Sequence, residues 1–298
     1  MIKFLLALLW PAGIIAILAV AALLARRAGP AEPGVRGGAG PVAAGRASKH
    51  GTPAAGRSSA LPPAVLGATR FLLIVVAGAV AVYGLTALLG LLVVHAGPTI
   101  DKPLLTWTTV HRVHEWAAIM NRLTKIGNTW TTWGAVAAAA VCLAVTWRRN
   151  RWLPPLALGA AIVVDHFTTL YIRHTFERPG PPDSPHGTFP SGGCDRIILF
   201  YGLIAYLLWY EFSRQRRAGI WAGATVAALA FSEGYTRFYL TLHWFTDVLS
   251  GWVYGSLLLL LFIVAVRYVE GSSGGPGRPG LRGTAPDAVR EPAAGLPG

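Results

Sequence analysis

Charge is scarce in this chain. Asp, Glu, Lys and Arg together make up 13% of its 298 residues, roughly half the share of about a quarter that a soluble domain carries, so water is not its main solvent. Acidic residues are the scarcer sign, with 13 Asp and Glu against 26 Lys and Arg. The basic residues fall between apolar runs and are not gathered with aromatics on one soluble surface. That pattern argues against nucleic acid as a partner and makes the charge a marker of membrane topology. Cysteine is nearly absent too: Cys142 and Cys194 are the whole thiol inventory. Two thiols, one of them inside an apolar run, make neither a disulfide framework nor a zinc site.

What fills the chain instead is hydrocarbon, 53% of the residues being of the AVILMFWYC set. About 20 apolar residues cross a bilayer core as a helix, and seven runs of that kind can be read. The first, Ile2 to Ala25, is expected to be an uncleaved anchor with its N-terminus outside; the alternative for a stretch that follows Lys3 is a cleaved signal peptide, which would invert every loop. A basic Gly/Ala/Pro-rich linker, unable to bury a core, follows over residues 26–69. The other six run roughly from Phe71 to His95, Thr131 to Thr146, Trp152 to Tyr171, Ile197 to Phe212, Ile220 to Phe231 and Phe245 to Tyr268. They define a membrane domain over residues 70–270, and a polar tail over 271–298 is expected to be disordered. The predicted fold class is therefore all-α and polytopic.

Seven basic residues between Arg26 and Arg70 (Arg26, Arg27, Arg36, Arg46, Lys49, Arg57, Arg70) and three in each of the turns Arg148–Arg151 and Arg214–Arg217 mark one side as cytoplasmic. The opposite side then carries the segment Gly97 to Trp130, the loop Arg173 to Cys194 and the turn around Arg237 to Trp244. Within the first of these, Trp107, Val110, Val113, Trp116, Ile119, Met120 and Leu123 recur at helical spacing among charges, a stripe suited to packing on the bundle or to lying at the interface and admitting a lipid.

These outer loops hold the chemistry. His243 and Asp247 are four apart, which on a helix puts an imidazole and a carboxylate on one face, the carboxylate orienting the ring. Arg237, six residues earlier, is expected to bend back over the histidine. Guanidinium forks suit phosphate oxygens and carry their charge without a metal ion, so no metal and no cofactor is called for. Ser191, Gly192 and Gly193 add a hydroxyl and backbone N–H groups at the start of a helix. Asp165 and His166, within a span, are expected to face the bundle interior, paired with Arg173 or Arg178.

In this order the segments resemble the type 2 phosphatidic acid phosphatase superfamily, whose pattern is Lys-x6-Arg-Pro, Pro-Ser-Gly-His and Ser-Arg-x5-His-x3-Asp. Arg237-x5-His243-x3-Asp247 matches the last block with Thr236 for its serine, Pro190-Ser191-Gly192 matches the middle one, and Arg178-Pro179 supplies the Arg-Pro. The resemblance covers roughly Phe71 to Tyr268 and implies a six-helix membrane bundle hydrolysing a lipid phosphate or diphosphate at the extracytoplasmic face of the cell membrane. It implies His243 as the nucleophile, Asp247 as its orienting carboxylate, and Arg237, Arg178, Ser191 and Gly192 as the phosphate cradle. Strict spacing puts Tyr171 at the lysine position, and Arg173 is the nearest residue able to do that work. Gly193 stands where the family has its general-acid histidine, which leaves His174 and His186 as candidate replacements and favours diphosphates, whose leaving group departs as an anion. A head-group binder without catalysis and a lipid phosphotransferase are the alternative readings.

Overall fold

The computed structural model describes residues 63–148, 150–182, 184 and 188–272. The expected anchor Ile2 to Ala25, most of the linker, nearly all of the tail and His186 lie outside the described residues. Among those described, the chain is helical throughout, with no strand. The helices are α1 Pro63–His111, α2 His114–Leu123, α3 Thr129–Thr146, α4 Leu153–Phe176, α5 Gly192–Ser213, α6 Arg216–Tyr239 and α7 Phe245–Ser272. Five of them, α1, α3, α4, α5 and α7, are long and apolar enough to cross a membrane. The remaining long helix, α6, carries Arg216 and Arg217 at its start and Glu233 and Arg237 near its end, around an Ala/Gly-rich middle of modest hydropathy.

The largest departure from expectation is α1. It begins at Pro63, inside the stretch read as linker, and its 49 residues continue through Pro98 and Pro103 to His111. At 1.5 Å per residue such a helix is about 70 Å long, more than twice the hydrocarbon thickness of a bilayer. It therefore carries Asp101 well past the apolar run that ends near His95. The apolar stripe that follows does not pack on the bundle: Trp107, Val110, Val113, Trp116, Ile119 and Leu123 are all exposed, and Met120 alone is buried.

The core gathers around α5, whose Leu199, Phe200, Leu203 and Leu207 are fully buried among Leu143 of α3, Leu158 and Ala161 of α4, and Tyr254, Leu258 and Phe262 of α7. On the outside, Leu73, Val80, Val145 and Trp221 stand exposed, the apolar surface a bilayer covers. Helix α1 lies along α7, with the Phe71 and Tyr268 rings 5.3 Å apart.

Two glycines one turn apart set the position of α5. A Cβ at Gly251 would lie 2.6 Å from the Ser191 carbonyl oxygen, and one at Gly255 would lie 2.6 Å from that of Asp195. Helix α7 thus touches the backbone of the Ser191–Asp195 turn directly, as small residues four apart allow between membrane helices. The C-terminal ends of α4 and α6 and the N-terminal ends of α5 and α7 meet at this point, and the basic turns after α3 and α5 lie at the far ends of α4, α5 and α6.

Candidate active site

Helix α4 ends where Glu177 turns left-handed, its N–H still held by the Arg173 carbonyl at 2.9 Å. Arg178, the next residue, is sent inward and is buried. There its Nη1 donates to Asp247 and, at 3.0 Å, to Thr246 Oγ1, while its Nη2 donates to Asp101 Oδ2 at 2.5 Å. Asp101 also accepts from the Thr246 hydroxyl at 2.6 Å and the Thr246 N–H at 3.0 Å. The cap of α7 is thus a carboxylate from α1, and Arg178 binds both helices to the intervening loop. Both Nη nitrogens of Arg178, a residue that the resemblance puts in a phosphate cradle, are held here by carboxylates, which makes the guanidinium a strut between α1 and α7.

The relation of His243 to Asp247 also differs from expectation. His243 lies before the first turn of α7, in the short connection after α6, so the two residues do not share a helical face. Its Nδ1 is 3.1 Å from the carbonyl oxygen of Thr188, which makes Nδ1 the protonated nitrogen and leaves the Nε2 lone pair available. Asp247 Oδ2 accepts from the hydroxyl of that same Thr188 at 2.5 Å. The carboxylate positions the ring through Thr188, a residue the sequence reading missed. Burial, reinforced by the charges of Arg237, Arg173 and Arg196, pushes the imidazole pKa down to about 3. The ring is a neutral base at any physiological pH.

Those arginines surround the glycine turn. Arg237 donates from Nε to Glu233 Oε1 at 2.7 Å and from Nη2 to Asn128 Oδ1 at 2.9 Å. Asn128 precedes α3, where its side chain would ordinarily cap the helix; it is diverted to the arginine instead. Arg173 Nη2 and Arg196 Nη1 come to 2.9 and 3.0 Å from a Cβ built on Gly192. Arg196 donates from Nε to the Gly127 carbonyl at 3.1 Å, and its Nη1 is the atom that nears Gly192. Of the two residues offered for the first block, Tyr171 turns to α1, its hydroxyl 3.4 Å from that of Tyr83, whereas Arg173 reaches the glycine turn. Ser191 is buried and gives its hydroxyl to Cys194 Sγ at 3.3 Å. The N–H groups of Gly192 and Gly193 belong to the first turn of α5, where the helix itself supplies no acceptor for them.

The rest of the expected set separates. His174 is exposed on α4. Asp165 is buried, but His166 is exposed, since successive helical residues point about 100° apart; its ring meets Trp133. Asp165 Oδ1 has no hydrogen-bond partner among the described residues, and Arg178 is taken by Asp101 and Asp247.

A family model described as the PAP2 superfamily matches residues 71–270. Among solved structures, the chain is similar to the one titled "Crystal structure of the first transmembrane PAP2 type phosphatidylglycerolphosphate phosphatase from Bacillus subtilis", at 22% identity and a TM-score of 0.56, over 62% of this chain and 94% of that one. At that identity the likeness speaks for the fold. No curated protein matches the chain.

Removing the guanidinium of Arg178 leaves two buried carboxylates facing each other. Arg178→Ala is therefore expected to lower stability by about 3–5 kcal/mol, as breaking a buried ion pair does. Asp101→Asn should cost clearly less, because the Arg178–Asp247 pair survives. Thermal unfolding in detergent ranks the two; equal melting temperatures for Arg178→Ala and the native protein would remove the strut.

Proposed function

Because the chain belongs to the PAP2 superfamily, we propose that it is a membrane phosphatase that hydrolyses a lipid phosphate or diphosphate through a phosphohistidine on His243. The observation that carries this reading is the neutral, buried His243, with Nδ1 on the Thr188 carbonyl and the charges of Arg237, Arg173 and Arg196 close enough to act on its ring. A nucleophile needs a lone pair, and this imidazole keeps one.

Arg173, Arg196 and Arg237 with the N–H groups of Gly192 and Gly193 would hold the phosphoryl oxygens and stabilise the charge that shifts among them in the transition state. Asp247, through Thr188, keeps the ring from rotating and supports the charge that appears on it when Nε2 bonds to phosphorus. The burial of Asp247 against Arg178 suits that role, because the carboxylate cannot drift to another partner. A long-chain substrate fits the surroundings: the site lies at the ends of apolar helices, where a phosphate head group on a hydrocarbon tail sits.

His243→Ala is expected to abolish release of inorganic phosphate from lipid phosphates while the protein still inserts and unfolds as the native one does. Asp247→Asn should be impaired less completely. Near-normal turnover by purified His243→Ala overturns the mechanism. The site is proposed to face the extracytoplasmic side, supported by the basic turns at the opposite ends of α4, α5 and α6. In a Cys142→Ala background, a cysteine placed at Gly187 should react with an impermeant thiol reagent in intact cells and one at Asn150 should not; the reverse pattern inverts the orientation.

A further inference from the structure

Cleavage of a phosphate ester beside His243 requires a proton for the departing alcohol oxygen, because an aliphatic alkoxide is a very poor leaving group. Few groups bordering the site can carry one. His243 is the attacking base, Asp247 is committed to Arg178 and Thr188, and His174 is exposed on α4. That leaves two buried carboxyl groups, Asp195 and Glu233, and it is the second, Glu233, that a Cβ at Gly193 would strike. It lies on α6 one turn before Arg237 and is 2% exposed. One oxygen, Oε1, accepts from Arg237 Nε at 2.7 Å and from Thr124 Oγ1 at 3.3 Å. The other, Oε2, is buried with no hydrogen-bond partner among the described residues.

The carboxyl group lies between two glycines, Gly127 and Gly193, against either of which a Cβ would collide with it. At Gly193 that Cβ would fall 2.6 Å from Glu233 Oε1 and 2.7 Å from Arg237 Nη2. Among the described glycines none has a positive φ, so the backbone does not require glycine there. Room for the Glu233–Arg237 pair does. A buried carboxylate oxygen left without a donor is costly as an anion, and the cost disappears when that oxygen holds a proton.

We infer that Glu233 is the catalytic acid of this site, its unpartnered oxygen delivering the proton that the departing lipid oxygen takes. The inference rests on the phosphohistidine chemistry proposed for His243. A docked phosphate brings negative charge onto Arg237 and so beside Glu233, and like charge favours the protonated carboxyl. Arg237 on its own helix, the Thr124 hydroxyl and the Gly127 N–H act on this carboxyl group and favour its anion, and Cys194 and Tyr201 on α5 are the other titratable groups near it. In the first half-reaction the His243 Nε2–phosphorus bond forms, the phosphorus–oxygen bond to the lipid breaks, and the lipid oxygen takes the Glu233 proton and leaves as an alcohol. In the second, water attacks phosphorus and gives its proton back to Glu233. The nitrogen–phosphorus bond breaks, and inorganic phosphate departs from a neutral His243.

The test compares a substrate that needs the acid with one that does not. Phosphatidate must release an alkoxide, whereas farnesyl diphosphate releases a phosphate anion that arginines can hold. Each preparation of native, Glu233→Gln and Glu233→Asp protein is assayed on both, so that the ratio of the two rates is independent of the folded fraction. Glu233→Gln, which can still accept from Arg237, is expected to lower the phosphatidate-to-diphosphate ratio by about a hundredfold or more. Glu233→Asp, an acid on a shorter arm, should lower it by a smaller factor. A ratio unchanged in either variant, whether activity on both substrates falls together or not at all, overturns Glu233 as the acid. Native protein that releases phosphate from neither substrate overturns the phosphatase reading itself.

Discussion

The guanidinium of Arg178 is the point on which the active end of the bundle depends. It joins the far half of α1 through Asp101, the loop after α4 through its own backbone, and the first turn of α7 through Asp247 and Thr246. Each partner would be expensive to bury alone, and the group is stable only because all are present together. With the bridge in place, Thr188 is held over Asp247, and its carbonyl meets the ring of His243. The chain from Asp101 to His243 runs through three side chains and one backbone carbonyl, all of them in hydrogen-bond contact.

On the other side of His243 the balance of charge is reversed. Arg173, Arg196 and Arg237 lie around a turn made of Gly192 and Gly193, with Glu233 the carboxylate nearest to it. The same positive charge serves two ends. It withdraws the proton from His243, adding to what burial does, and it offers an anion a set of donors already paid for by folding. Glycine at 192 and 193 is what lets these long side chains close over the backbone, and glycine at 251 and 255 lets α7 support that backbone from below.

How much of this could be read from the residues follows from how local each feature is. Arg237, His243 and Asp247 lie within one helix end, a short connection and one helix start, so their spacing survives in the sequence, and the apolar runs foretell where most helices lie. Asp101 was not recognisable as a site residue: it is 77 positions from Arg178 and 145 from Thr246, and it sits in a stretch whose aromatic stripe suggested a separate interface helix. The first part of that stretch, Asp101 included, is instead the end of α1, which passes through two prolines that ordinarily stop a helix, and only the part from His114 is a helix of its own. Thr188 acts through its carbonyl as well as its hydroxyl, and no side-chain pattern announces a carbonyl. Glu233 had a visible signal that went unread, a carboxylate four residues before Arg237 on the same helical face. Gly193 was read as an absence, whereas in the folded chain it is the space that Glu233 and Arg237 occupy.

The covalent intermediate at His243 is the claim from which the rest of the chemistry follows, and it can be seen directly. Native protein is mixed with a lipid phosphate labelled in its phosphoryl group, quenched in alkali within the first turnover, digested, and the peptides are analysed by mass spectrometry. The account predicts an acid-labile, alkali-stable phosphoryl group on the imidazole of His243. Label on another side chain, or phosphate release with no labelled histidine at any quench time, would contradict it.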